Sequence, residues 1–140
     1  MNSIVCIKRV PDSEARIRVA ADGTSIDPSG VKFDMNEYDK YALEEALQRR
    51  ETAGEGQVTV VTVGGDDARE TLRQALAMGA DQAVLLRADV SLDGLPIARA
   101  LADEIRDRPF DLLLFGKQAI DDDGMQVPAM VSELLGPVSY

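Results

Sequence analysis

Four nearly continuous apolar runs of strand length alternate with segments of helical periodicity along this chain. The runs are residues 3–8, 57–63, 82–86 and 111–115, and they are rich in Val, Ile and Leu. Strands that are buried on both faces of a parallel sheet have this composition, because neither face meets water. The alternation therefore predicts an α/β fold with a parallel sheet between two layers of helices, a Rossmann-like arrangement.

The segments between these runs carry start and stop signals for helices. The predicted helices run from Asn36 to about Arg50, from Asp66 or Asp67 to Met78, from about Gly94 to Arg108, and from Asp123 or Gly124 to Leu135. The Asn36 side chain is expected to cap the first helix. Gly79 is expected to end the second helix in a left-handed conformation, and Pro109 to close the third.

A β-hairpin is predicted between the first strand and the first helix. Residues 16–20 and 25–27 alternate polar and apolar side chains on either side of an Asp22-Gly23 turn. No linker interrupts the chain, so residues 1–140 are expected to form a single domain. The chain stops just after the fourth predicted helix, where an α/β domain normally returns another strand, and we expect this end to be a truncation.

The composition excludes several kinds of chemistry. The chain has no histidine, which rules out Ser-His-Asp and Cys-His catalysis within it and removes the commonest metal ligand. Its formal net charge of −10 disfavours nucleic-acid binding. No apolar run approaches the roughly 20 residues of a membrane span, and the start resembles a strand rather than an export signal, so a cytoplasmic location is expected. The single cysteine, Cys6, is interpreted as a small buried side chain.

Ligands of open parallel sheets bind beyond the carboxyl ends of the strands. This rule selects residues 8–11, 63–65 and 116–124. The last segment places Gly116 and Lys117 after a strand and Gly124 at a helix start, where backbone N–H groups can hold a phosphate. The aspartates at 121–123 could instead cap that helix or bind Mg²⁺. Fingerprints for dinucleotides and triphosphates are missing from the sequence, so a mononucleotide is expected.

Several segments resemble a known family. They are residues 5–12 (VCIKRVPD), 30–36 (GVKFDMN), 42–46 (ALEEA), 70–81 (ETLRQALAMGAD) and 116–123 (GKQAIDDD). On these motifs the chain is similar to the amino-terminal portion of the electron transfer flavoprotein beta subunit. The resemblance covers essentially the whole chain.

The resemblance implies a domain related to the adenine nucleotide alpha hydrolase-like folds. It implies a heterodimer with a larger alpha subunit that carries most of the FAD site, while the beta subunit holds a structural AMP. Such a complex passes electrons from acyl-CoA or other primary dehydrogenases to a quinone oxidoreductase, without catalytic residues of its own. The family's later strands, its partner-recognition loop and the arm that embraces the alpha subunit would lie beyond Tyr140.

The resemblance also implies which residues form the nucleotide site. They are Cys6, Asn36, Glu37, Tyr38, Asp39, Val63, Gly116, Lys117, Gln118, Ala119, Ile120, Asp121, Asp122, Asp123, Gln126 and Val127. Backbone contacts are expected at Cys6 and Val63, because their side chains offer little to an adenine ring. Lys117 and the helix amides after Asp123 are the expected neighbours of the phosphate.

Two positions in the last segment depart from the family pattern. AMP-binding members commonly carry an amide and a hydroxyl where this chain has Met125 and Val127, and each change could remove a phosphate hydrogen bond. A glutamine and valine at 126–127 also occur in electron-bifurcating members, which hold a second FAD in place of AMP. In addition, Ser13 stands where some relatives place an aromatic side chain near the flavin.

Two functions from other classes compete with this interpretation. The same order of strands and helices would serve a stand-alone homodimer that binds adenine nucleotides, similar to universal stress proteins, but the predicted hairpin and residues 116–123 favour the flavoprotein. An ATP-cleaving enzyme of the same fold is disfavoured, because residues 8–11 replace the Gly-rich phosphate loop expected after the first strand.

Overall fold

The computed structural model describes residues 1–11, 18–19, 26–27, 33–87, 94–116 and 126–136. The strands in these residues are β1 (Ser3–Cys6), β2 (Arg9–Pro11), β3 (Arg18–Val19), β4 (Ile26–Asp27), β5 (Phe33–Met35), β6 (Val58–Gly64), β7 (Gln82–Arg87) and β8 (Leu112–Phe115). The helices in them are α1 (Glu37–Ala53), α2 (Arg69–Met78), α3 (Gly94–Arg106) and α4 (Gln126–Leu135), and a 3₁₀ turn, Asp66–Ala68, precedes α2.

The central sheet of the described residues has the strand order β7-β6-β1-β8, and all its pairs are parallel. β1 lies between two strands that are distant in sequence, with Cys6 opposite Val61 of β6 on one side and Phe115 of β8 on the other. These strands are the four apolar runs, so the prediction of a parallel α/β sheet is confirmed. Their ends lie within two residues of the predicted ones.

The two faces of the sheet are covered by different pairs of helices. Val5 and Ile7 belong to a core cluster with residues of α1 and α2, while Ile4 and Cys6 belong to a second cluster with residues of α3 and α4. This division follows from the two-residue period of a strand, which sends neighbouring side chains to opposite faces. Helices on both faces give the three layers that the sequence predicted.

The direction of the chain reverses across β1. The connections through α1 and α2 lead from β1 to β6 and on to β7, whereas the connection through α3 leads from β7 back to β8, on the other side of β1. Crossovers between parallel strands are right-handed, so opposite directions of travel place the helices on opposite faces. The strand order and the helix positions therefore agree.

Two short antiparallel ladders flank this sheet. β3 pairs with β4 through Arg18 opposite Asp27 and Val19 opposite Ile26. The predicted hairpin has its strands here, but its turn lies outside the described residues, so the complete hairpin stays a prediction. β2 pairs with β5, which the sequence analysis missed because a three-residue ladder leaves no periodic pattern. This second ladder leads the chain into α1.

The ends of the helices correct several predictions. α1 runs three residues beyond Arg50, and α3 ends at Arg106 rather than Arg108. Asn36 is the N-cap residue of α1, but its side chain makes no capping hydrogen bond, because it bonds to the Asp39 carboxylate instead. Gly79 follows α2 with φ of 125° and ψ of 4°, a positive φ outside the left-handed helical region. The predicted start of the fourth helix lies outside the described residues.

None of the helices in the described ranges combines the length and the apolar character needed to cross a membrane.

Candidate functional site

The point where the chain reverses direction lies between the carboxyl ends of β1 and β8. Strands that are neighbours in the sheet but lead to opposite faces leave a crevice at this edge, and open α/β sheets bind their ligands there. The first turn of α1 reaches this edge, because the backbone N–H of Asn36 donates a hydrogen bond to the carbonyl oxygen of Lys8 over 2.8 Å. The structure therefore brings residues from β1, β8 and α1 together at the edge that the sequence selected.

The carboxylate of Asp39 joins these three elements. Its Oδ2 accepts a hydrogen bond from the backbone N–H of Lys8 at 2.7 Å, and its Oδ1 accepts one from the backbone N–H of Gly116 at 2.9 Å. The Asn36 side chain also bonds to this carboxylate. Asp39 belongs to the first turn of α1, so the carboxylate lies near the positive end of the helix dipole.

Burial of Asp39 changes its protonation. Only 5% of the residue is exposed, and loss of hydration raises the pKa of its carboxyl to about 6. The hydrogen bonds from Lys8, Asn36 and Gly116 and the positive charge of Lys8 favour the ionised form and offset part of that rise. The carboxylate is thus mostly ionised at pH 7, but it lies close to its titration range.

Gly116 has no room for a side chain. A Cβ atom built at this position would overlap Asp39 Oδ1 and would lie 2.7 Å from the backbone nitrogen of Asp39 and from the carbonyl carbon of Tyr38. Two of these three atoms belong to the backbone, which cannot turn aside as a side chain can. The close approach of β8 to α1 therefore requires glycine here, which is a role that the sequence analysis did not assign to Gly116.

Cys6, Val63 and Val127 direct their side chains into the second core cluster. Cys6 is buried, as predicted, and burial raises the pKa of its thiol well above the usual range. Contacts from Cys6 and Val63 to a ligand would therefore come from the backbone. The remaining described residues of the predicted site are Glu37, which is exposed, and Tyr38, which is half-buried.

Most of the predicted phosphate segment lies outside the described residues. This holds for Lys117, Gln118, Ala119, Ile120, Asp121, Asp122, Asp123 and the side chain of Gln126. Their roles stay predictions. Asn36, Asp39 and Gly116 are the predicted site residues that hydrogen bonds and close backbone contact bring together in the described part of the chain.

Two residues outside the list of predicted site residues support this edge. Lys8 lies in the segment 8–11 that the strand-end rule selected, whereas Thr62 was not predicted. The backbone of Lys8 bonds to α1 at both its N–H and its carbonyl group. The buried hydroxyl of Thr62 in β6 donates to the carbonyl oxygen of Ile7 over 2.8 Å. A polar residue inside or directly after an apolar run is the sequence signal for such a role, and both Lys8 and Thr62 have it.

Arginine side chains surround the neighbouring strand end, after β6. Arg9 contacts Asp67 at 3.2 Å and lies 3.7 Å from the centre of the Phe33 ring, while Arg87 contacts Asp66 at 2.6 Å. A Cβ atom on Gly65 would meet only an ordinary contact at 3.5 Å. The Gly64-Gly65 pair is thus better explained by the turn into the 3₁₀ segment than by a ligand approaching the backbone of Gly65.

A shallow depression of about 80 Å³ lies at the opposite, amino edge of the sheet, lined by Asn2, Gln57, Gln82 and Arg108 among others. Ligand sites are typically several times larger, at roughly 300–1,000 Å³. This depression is therefore too small for a nucleotide.

Comparisons with known proteins agree with the motifs. A family model described as electron transfer flavoprotein domain matches residues 24–137. The electron transfer flavoprotein subunit beta of Bradyrhizobium diazoefficiens is 40% identical, over 97% of this chain and 55% of its own length. That of Bacillus subtilis is 43% identical, over 96% of this chain and 52% of its own. Protein FixA of Azotobacter vinelandii is 45% identical, over 96% of this chain and 50% of its own.

The chain spans about half the length of the curated relatives it matches. The family model covers most of its residues, including α1, β8 and α4 at the carboxyl edge, and the relatives match it over nearly its whole length. The chain therefore belongs to the electron transfer flavoprotein family, among its beta subunits.

Proposed function

We propose that the complete protein is an electron carrier subunit that binds AMP as a structural nucleotide at the carboxyl edge of the sheet. The observation that carries this proposal is the reversal of chain direction between β1 and β8, where the Asp39 carboxylate joins the residues that follow both strands to the first turn of α1. Edges of this kind bind nucleotides in doubly wound α/β proteins. Because the chain belongs to the electron transfer flavoprotein family, a flavin-linked electron carrier is the function that best fits a nucleotide site at this edge.

The contacts at the edge narrow down which groups could hold the phosphate. The backbone N–H groups of Lys8 and Gly116 already donate to Asp39, so they are not free for a ligand. An anion would also be repelled by the ionised carboxylate at close range. The phosphate is therefore assigned to Lys117 and to the N–H groups at the start of α4, where the helix dipole favours negative charge.

AMP and a second FAD remain alternative occupants of this site. Val127, one of the two positions that depart from the family pattern, packs against the second core cluster and offers no hydrogen-bonding group. The aspartates at 121–123 favour AMP. We therefore propose AMP, with an electron-bifurcating subunit that holds FAD as the competing outcome.

The redox chemistry in this proposal belongs to FAD, which is held mainly by the alpha subunit and carries electrons between donor and acceptor proteins. The beta subunit binds the structural nucleotide and forms half of the heterodimer. The proposed donors are acyl-CoA or other primary dehydrogenases, and the proposed acceptor is a quinone oxidoreductase, in the cytoplasm.

The experiment is to purify the complete protein together with its alpha subunit, release the ligands with acid, and quantify AMP and FAD in each heterodimer. One FAD and one AMP support the proposal. Two FAD and no AMP would make the protein a bifurcating subunit. One FAD and no AMP in a folded heterodimer would contradict a nucleotide site in this chain.

A matched pair of variants locates the site. Lys117→Ala is expected to lower the AMP content, because it removes the proposed positive charge near the phosphate. Arg49→Ala serves as the control, since Arg49 lies on the exposed side of α1 and pairs with Glu45 of the same helix. Equal AMP content in both variants would remove Lys117 from the phosphate site.

A further inference from the structure

Both oxygens of the Asp39 carboxylate accept hydrogen bonds from the protein. Oδ1 accepts from Gly116, Oδ2 accepts from Lys8, and the Asn36 side chain provides a further hydrogen bond. A carboxylate presents about four lone pairs, so little capacity is left for another donor. With the side chain buried, this carboxylate cannot act as an ordinary ligand contact.

The bonds of Asp39 fix the backbone on both sides of the crevice. Lys8 is held twice, through its N–H to the carboxylate and through its carbonyl oxygen to the N–H of Asn36. Gly116 is held at the residue where the chain leaves β8. One ionised side chain therefore links the backbone segments that leave β1 and β8, just beyond the last paired residues of these strands, Cys6 and Phe115.

The described groups that face this carboxyl come from three elements. β1 and the residues after it contribute the Cys6 thiol and the Lys8 ammonium group, α1 contributes the Asn36 side chain, and β8 is followed by Gly116, which has no side chain. Among these groups Lys8 is the one whose positive charge favours the ionised form of Asp39. A proton gained by Asp39 would remove the charge that strengthens both hydrogen bonds, and one of the two backbone N–H groups would face a hydroxyl oxygen, which is a weaker acceptor than a carboxylate oxygen.

We propose that ionised Asp39 is a positioning residue, whose carboxylate binds no nucleotide atom but fixes Lys8 and Gly116, so that protonation of Asp39 weakens nucleotide binding. The inference rests on the proposed AMP site. It adds a dependence on protonation and assigns the effect to the protein backbone rather than to a contact with the ligand.

The first test compares the affinity for AMP of the heterodimer, stripped of nucleotide, between wild type and Asp39→Asn from pH 5 to pH 8. The asparagine keeps the shape of the side chain but turns an N–H group toward one backbone donor. At pH 8 its affinity is expected to be weaker by about 10- to 100-fold, the equivalent of one lost hydrogen bond to a charged group. Asp34→Asn is the control, because it removes a carboxylate of β5 that contacts Lys40 rather than the crevice.

The shape of the pH profile distinguishes the titration of Asp39 from the titration of the AMP phosphate. The phosphate of AMP itself titrates near pH 6, but it does so equally with both proteins. The ratio of the wild-type to the Asp39→Asn affinity is therefore expected to fall toward acidic pH, as wild-type Asp39 becomes protonated. A ratio that stays constant from pH 5 to pH 8 would overturn the proposal.

Hydrogen exchange supplies a readout that needs no nucleotide. In the nucleotide-free heterodimer, Asp39→Asn is expected to speed exchange in peptides that contain the Lys8 and Gly116 amides, whereas Asp39→Glu, which retains both acceptor oxygens, should restore part of the protection. Unchanged exchange in Asp39→Asn would overturn the inference. If wild type binds no AMP but the exchange result holds, the proposed function fails while the role of Asp39 in fixing the two strand ends survives.

Discussion

Arg50, near the end of α1, and Asp81, just before β7, form an ion pair in which Nη1 lies 2.7 Å from Oδ2. The same Oδ2 accepts the backbone N–H of Val58 at the start of β6, and Arg50 also donates to the carbonyl oxygen of Gly79. The pair thus joins a helix to the amino ends of two neighbouring strands. The hydrogen bond from Val58 is the main reason why the pKa of Asp81 is lowered, and the bond from Arg50 adds to it.

Asp81→Ala is expected to lower the free energy of unfolding at pH 7 by about 1–2 kcal/mol, chiefly because the Val58 N–H loses its acceptor. The exposed ion pair itself contributes little. A carboxyl whose pKa is lowered on folding stabilises the fold above its ordinary pKa of 3.8, and this contribution disappears as the pH falls further. Urea titrations at pH 7 and pH 3 should therefore show a larger effect at pH 7.

Asp103→Ala is the control for Asp81, since Asp103 pairs with Arg106 on the exposed side of α3. It should change stability by no more than about 0.5 kcal/mol. Equal effects of the two substitutions at pH 7 would contradict a structural role for Asp81.

Gly116→Ala is expected to destabilise the protein by about 1–3 kcal/mol, because the new methyl group overlaps the first turn of α1 and forces β8 and the helix apart. Gly65→Ala is the matched substitution. Gly65 has a φ of −89°, which alanine adopts readily, and a Cβ atom there would lie at an ordinary distance of 3.5 Å from its nearest neighbour, Asp67 Oδ1. This substitution should be neutral or slightly stabilising. Thermal unfolding of both variants checks the difference, and similar melting temperatures would show that the close approach at Gly116 does not constrain the fold.

The contribution of Asp39 to the free energy of unfolding should decrease as the pH rises. Its pKa is raised from 3.8 to about 6, so between these values the folded protein binds more protons than the unfolded chain and this group's contribution falls with increasing pH. The full effect is about 3 kcal/mol. Asparagine does not titrate, so the stability of wild type relative to Asp39→Asn should decrease from pH 4 to pH 7. Urea titrations across this range measure that difference, and no change with pH would mean that burial does not raise the pKa.

Leu43 tests the core on the α1 face. It is fully buried in the first cluster, and Leu43→Ala should cost about 2–5 kcal/mol through lost contacts and the cavity that remains. Leu76, on α2, is 42% exposed, and Leu76→Ala should cost about 0.5 kcal/mol. Chemical denaturation of both variants makes the comparison, and similar losses would place Leu43 outside the cooperative core.

The sheet could be predicted from the sequence because its strands are buried on both faces. Continuous apolar runs such as residues 57–63 leave few alternatives to a parallel strand. The ladder between β2 and β5 could not be predicted, since it depends on Arg9 meeting Met35 and Pro11 meeting Phe33 through the fold rather than on a periodic pattern. Asn36 was correctly predicted as the N-cap residue of α1, but the predicted capping hydrogen bond from its side chain does not form. The side chain bonds instead to the buried carboxylate of Asp39.

The edge that forms the candidate site was also predictable, from the order of strands and from the family motifs. Neither source distinguishes a residue that contacts a ligand from one that holds the backbone. Asp39 and Gly116 belong to segments 77 positions apart, and the hydrogen bond between them emerges only when β8 has taken its place beside β1. The roles of residues 117–123 depend on structure outside the described part of the chain.

The position of β1 also has a consequence for how the protein folds. Ser3 pairs with Val58 on one side and with Leu112 on the other, so the innermost strand is made first and receives its last partner more than one hundred residues later. Contacts of such sequence separation close large loops and slow folding. During synthesis, β1 can first pair with β6, but its other edge must wait until β8 has left the ribosome. We therefore expect a nascent chain that stops before β8 to expose an unpaired apolar edge, and to be the species most prone to aggregate.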